Sequence, residues 1–247
     1  MLRPLNFIVI FFALISTACS TVQIDSTPTY TPTAASLDAE QPERFWWQFR
    51  FKLLWPDGEP PMFSHHLLIA DQIIAPALIK HEENMGLWRF HRRAGRDQAG
   101  HQLSLIFYAN RETADAVAES MDENPLTQWL HSQDLIEATY FSRRTDAELA
   151  LMEDTSDREW PVEIQRSWPY FIMGVSQTWL VMLQELSAKD SLSGEVDYDT
   201  VLAHYQTVDS KLTAQWRDFG QHAYLHHLSA VFGYQPLKIR STELRSF

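Results

Sequence analysis

Cysteine is almost missing from this 247-residue chain, and Cys19 is the sole one. A single thiol excludes an intrachain disulfide, a multi-thiolate zinc site and CxxC redox chemistry. Positive charge is scarce too. Twenty Lys and Arg stand against 32 Asp and Glu, for a formal net charge of −12. Nucleic acid and anionic headgroups both call for net positive surface, so neither is an expected partner. Catalytic signatures are few. No P-loop, dinucleotide fingerprint or HExxH motif occurs. Gly174-Val175-Ser176-Gln177-Thr178 lacks the second glycine of a nucleophile elbow and falls inside an expected helix. These absences favour binding over catalysis, with no catalytic residue assigned.

What the chain does carry, at its start, is Arg3, an apolar stretch from Leu5 to Ile15 broken by Asn6, and then Ser16, Thr17, Ala18 and Cys19. About eleven apolar residues at ~1.5 Å each fall short of a ~30 Å hydrocarbon core, which argues against a spanning helix. The segment resembles a bacterial lipoprotein signal peptide, with Ser16 where the usual lipobox has leucine. That resemblance implies that residues 1–18 are removed and that Cys19 is the lipid attachment point, carrying acyl chains such as palmitate. Ser20 follows, not the Asp that signals inner-membrane retention, so the implied address is the periplasmic side of the outer membrane. Two or three acyl chains give stable anchoring where one gives only marginal binding. A secretory peptide cleaved elsewhere and an uncleaved anchor are the alternatives. Loss of residues 1–18 removes only Arg3, so the net charge moves from −12 to −13.

Residues 19–43 read as a disordered tether. STVQIDSTPTYTPTAASLDAEQPE is rich in Ser, Thr and Pro and short of large apolar side chains, so it cannot offset the entropy of ordering. From Arg44 onward about two hundred residues remain, enough for a real core. The nine Trp fall mostly in periodic apolar positions and read as core.

Residues 44–145 read as an α+β sheet unit. FWWQFRFKLLW (45–55) alternates with period two, the mark of a half-buried strand, and Pro56-Asp57-Gly58 ends it in a turn. Leu67 to Ile79 recurs at helical spacing behind Ser64, a candidate N-cap, with Pro76 expected to kink or split the helix. LWRFHRR (87–93) and HQLSLIFY (101–108) read as strands of a hairpin. Residues 111–121 and 125–131 read as helices, and 135–143 as a fourth strand. The order β-α-β-β-α-β predicts a ferredoxin-like arrangement.

Strand parity divides the side chains. Trp47, Phe49, Phe51, Trp88, Phe90, Leu103, Leu105 and Phe107 share the face expected to meet the helices. The other face carries Arg50, Arg89, His91 and Ser104, conspicuously basic for so acidic a chain. These four are the candidate site for an anionic group, with Arg50, Arg89 and His91 as donors and His101 as a further candidate. A solvated polar face, or one covered by the acidic C-terminal half, is the plainer reading.

Residues 146–247 read as a helical region packed on the sheet unit, whether in the same domain or a separate one. Ser167-Trp168-Pro169 looks like a helix start, leading into a buried core helix to Leu186. Val201, Tyr205, Val208, Leu212, Trp216 and Phe219 form the stripe of an amphipathic helix, and a last helix covers 221–232. In DFGQHAYLHH, Asp218, His222 and His226 are spaced by four, which could present a carboxylate and two imidazoles to a metal. Three ligands on one straight helix rarely close a tetrahedron, so solvated histidines are the favoured reading and no metal or other cofactor is expected.

IIAPALIKH (73–81) followed by LWRFHRRAGRDQAGHQLSLIFYAN resembles the start of the C-terminal elimination domain of lantibiotic dehydratases, where a helix precedes paired strands of the form FIRY and HLRLRF. This resemblance implies an α+β unit. Gln102 and Ser104 stand where that family carries arginines in the second strand. Two functions follow from the whole reading: a non-catalytic, lipid-anchored accessory protein with an envelope protein partner, or a hydrolase or binder of small anions working on the basic sheet face.

Overall fold

The computed structural model describes residues 21–24, 28–31, 43–142, 151–190, 192 and 194–238. The signal segment, Cys19 and much of the 19–43 stretch lie outside these residues. The fold is mixed α and β, with antiparallel sheets and a helical C-terminal half.

Four strands form the main sheet: β2 (Phe45–Leu53), β3 (Leu87–Ala94), β4 (His101–Ala109) and β5 (Ile136–Phe141), in the order β3-β4-β2-β5. All neighbours are antiparallel. The strand alternation of the sequence is realised directly. Trp47, Phe49, Phe51, Trp88, Phe90, Leu103, Leu105 and Phe107 are all buried in one core. Gly100, at φ +66°, takes a left-handed conformation in the β3–β4 hairpin, and Asp97 Oδ1 accepts from its N–H and that of Ala99.

The helices on this face are α1 (Phe63–Ile69), a π-helical turn (Ala70–Ile74), α2 (Ala75–His81), α3 (Arg111–Asp122) and α4 (Pro125–Ser132). The expected break at Pro76 appears as that wide turn. A regular helix would aim the residue-76 N–H at the Gln72 carbonyl. Proline has none, and Asn124 Nδ2 donates to that carbonyl instead at 3.3 Å. Ser64 is not the cap: α1 begins at Phe63, after Met62, with no side-chain cap, and Ser64 is buried within it.

The C-terminal half contains α5 (Val162–Ser187), a short strand β6 (Gly194–Asp197), α6 (Tyr198–Gly220), a second π-helical turn (Gln221–His226) and α7 (His227–Val231). The sequence expectation for α5 needs two corrections. The helix starts at Val162, so Pro169 lies inside it. It is also buried along one face only. Met173, Ser176, Leu180, Leu183 and Leu186 point inward, while Tyr170, Phe171 and Val175 are exposed. The inner face covers the edge strand β3, where the Phe90 N–H, which faces no neighbouring strand, donates to Ser176 Oγ at 3.1 Å.

The described part of the supposed tether also departs from its reading. Thr21–Ile24 form β1, paired antiparallel with β6, and Val22 and Ile24 are buried. Tyr30 is buried as well, edge-on to Trp88, its hydroxyl donating to Glu82 at 2.6 Å. Average composition hid these three side chains, which find apolar and polar partners contributed by distant elements.

Candidate functional site

On the polar face, strand register sets Arg50 of β2 opposite Ser104 of β4, and Ser104 opposite His91 of β3. Three of the four candidate residues thus stand in one row across three strands. Arg50 is half-buried. Its guanidinium lies 4.7 Å from the Tyr140 ring centre and reaches Gln102 Oε1 at 3.5 Å, while its Nε is buried with no hydrogen-bond partner. Among the described residues no carboxylate lies within ion-pair distance of Arg50. The neighbouring Lys52, by contrast, is paired with Glu137 at 2.7 Å.

Ser104 is fully buried, and its hydroxyl accepts from Gln48 Nε2 at 3.0 Å. Among the described residues no imidazole bonds this hydroxyl, so the row has donors for an anion and no paired nucleophile and base. His91 is exposed, and its pKa lies below the ordinary value through partial burial and the nearby Arg89 and Arg93.

Arg89 is drawn out of the row. Its Nε donates to Thr155 Oγ1 at 3.2 Å, its guanidinium stacks 5.0 Å from Trp168, and burial brings its pKa down to about 10. Trp46, at the same end of the face, donates from Nε1 to the carbonyls of Leu151 and Met152. The segment before α5 therefore covers one end of the polar face and leaves Arg50 and His91 beside solvent. His101 belongs to the opposite, helix-covered face.

The structure gathers two buried polar groups inside the helical layer that sequence periodicity did not bring together. Asp71, in the first π-helical turn, is buried and accepts from Tyr205 (2.7 Å), Gln184 (3.2 Å), Ser187 (3.2 Å) and Gln72 (3.2 Å). Ser187 Oγ also lies 3.0 Å from His204 Nε2. Here the carboxylate holds the serine and not the imidazole, so the trio lacks the geometry in which an acid orients the catalytic base. Its work is to join α5 and α6 to the first helix. The signal was an isolated Asp within the apolar run LLIADQII, polar at a position where periodicity demands core.

The second group consists of His65, His66 and His101, all buried. The rings of His66 and His101 are 4.5 Å apart between centres. Arg92 Nε donates to His66 Nδ1 at 3.3 Å, which puts the His66 proton on Nε2, where it has no acceptor; His101 Nε2 is likewise unpaired. Burial holds all three imidazoles below their ordinary pKa, with His65 and His101 pushed down to about 4. They are neutral parts of the core.

Asp218, His222 and His226 lie exposed at the far end of α6 and in the second π-helical turn. His222 and His226 stack with ring centres 5.6 Å apart. Among the described residues no group of three or more His, Cys, Asp or Glu is placed to hold a metal ion. No described helix is long and apolar enough to cross a membrane. Compared with protein-family models, with curated proteins and with solved structures, the chain matches none.

Proposed function

We propose that this chain is a lipid-anchored accessory protein on the periplasmic side of the outer membrane, which binds an envelope protein through its C-terminal helices and catalyses no reaction. The anchor rests on the resemblance of residues 1–19 to a lipoprotein signal. The binding role rests on one observation. Beyond Leu212, every large apolar side chain through Leu237 is exposed, including Trp216 at 55%, Phe219 at 65%, Phe232 at 68% and Tyr234 at 62%. Contiguous exposed apolar surface of this kind marks interaction sites in soluble bodies. We read the sheet unit as ferredoxin-like, a reading supported by its element order and by the strand order β3-β4-β2-β5.

A photo-crosslinker placed at Phe219 and, as a control, at Asp115 on the exposed side of α3 tests the binding role. A discrete adduct from position 219 and none from 115 supports it. Equal, diffuse labelling from both positions counts against it.

A second reading is favoured by the buried, unpartnered Nε of Arg50: a small anion held by Arg50, His91 and the Gln102 amide on the open part of the sheet face. Saturable anion binding that is lost in Arg50→Ala supports this, and weak binding that is the same in wild type and Arg50→Ala argues against it.

A further inference from the structure

The lipid anchor and the folded body are connected by far less chain than the composition of residues 19–43 suggests. Thr21 is already the first residue of β1, and only Ser20 separates it from Cys19 in the sequence. Two residues of extended chain span at most ~7 Å. Were β1 unpaired, the two dozen or so residues before β2 could carry the body on the order of 80 Å from the anchor.

β1 is held in the fold along its whole length. Thr21 lies opposite Asp197, Val22 opposite Val196, Gln23 opposite Glu195 and Ile24 opposite Gly194. Thr21 Oγ1 donates to Glu195 at 2.7 Å, and Val22 and Ile24 are buried in the common core. The partner strand is itself fixed. Gly194 starts it at φ +81°, and Asp197 ends it as the N-cap of α6, accepting from the Thr200 N–H at 2.9 Å.

Because Thr21 pairs with Asp197, the N-terminal end of β1 lies beside the N-terminus of α6. Taking the lipid reading of Cys19 proposed above as its premise, we infer that the body sits directly on the bilayer through the β1–β6 ribbon and the start of α6, with the lipid headgroup layer as the partner of that surface. The exposed groups there include Gln23, Glu195, Asp197 and Asp199. The carboxylates of Glu195, Asp197 and Asp199 suit a zwitterionic headgroup layer and are repelled by an anionic one. α5 runs away from this end. Its last residue, Ser187, touches His204 near the start of α6, and its 26 residues span ~39 Å, so the segment before Val162 stands at the membrane-distal end.

The test uses the full chain purified from membranes in its acylated form and reconstituted into phosphatidylcholine vesicles containing a headgroup-labelled energy acceptor. With the Cys19 thiol acylated, Asp199→Cys or Glu159→Cys supplies the sole free thiol for a donor dye. The inference expects strong transfer from position 199 and weak transfer from 159. A flexible Gly/Ser insertion of about twenty residues between Ser20 and Thr21, which alters no packed side chain, should abolish most of the transfer from 199. Adding phosphatidylglycerol should lower that transfer in the uninserted protein.

Acylated protein with equally weak transfer from both positions, or transfer from 199 that survives the insertion, overturns the seated body while the anchor stands. Mass spectrometry of the N-terminal peptide separates this from failure of the anchor. An unmodified Cys19 overturns both.

Discussion

The Tyr205 hydroxyl on α6 donates to Asp71 Oδ2 on the first helical segment at 2.7 Å, in a site closed to solvent. This bond ties the C-terminal half to the sheet unit at a buried carboxylate. Burial and Asp71 together push the Tyr205 pKa well above its ordinary value, so the phenol stays a donor.

Removing the hydroxyl leaves the carboxylate one donor short in the core. Tyr205→Phe is expected to cost about 1.5–3 kcal/mol, the range for hydrogen bonds to charged groups. Urea denaturation should show a lower midpoint with an unchanged slope. Asp71→Ala strands several donors at once and should cost more.

Acid should destabilise the protein through His65, His66 and His101. Their folded-state pKa values lie below the unfolded value of 6.5. The unfolded chain therefore binds protons first. The stability tied to these groups is complete above about pH 6.5 and is lost as pH falls toward 4. For His65, lowered to about 4, the loss across that window is on the order of 3 kcal/mol. Arg92 sits against His66, and Asp209 across from it is raised by burial, so both belong to the titrating environment. Denaturation midpoints at pH 7.5 and 5 should differ clearly, and by less in His65→Gln.

Ser176→Ala should expose a weak seam at the sheet edge. The Phe90 N–H loses its acceptor under α5, at a cost of about 1–3 kcal/mol for a buried unpaired donor. Faster amide exchange at Phe90 than at Leu105 on the central strand β4 is the accompanying readout.

Trp216→Ser with Phe219→Ser should leave stability within about 0.5 kcal/mol, because both side chains are exposed. Self-association at high concentration, measured by sedimentation, should fall, since the pair removes exposed apolar surface.

Much of the sheet was legible because strand parity is a local property. Phe45 through Leu53, Leu87 through Arg93 and His101 through Tyr108 alternate so regularly that the face of each side chain follows from its position in the chain. Alternation alone therefore assigns Arg50, His91 and Ser104 to one face. It does not assign their partners. Thr155 and Trp168 claim Arg89 from a segment more than sixty residues away, and Gln48 covers Ser104, through packing that no local period encodes.

The chain alone established the kind of protein this is: poor in thiol chemistry, acidic, α+β, with an apolar leader ending in a lone cysteine. Local sequence suffices there because charge, composition and side-chain period are additive along the chain. Tertiary structure decided where the polar exceptions went. Asp71 became the joint between two halves, the three histidines became neutral core, and Val22, Ile24 and Tyr30 joined the body. Each outcome depends on whether a distant element supplies a partner that offsets the cost of burial or ordering, and that is settled only when the elements pack.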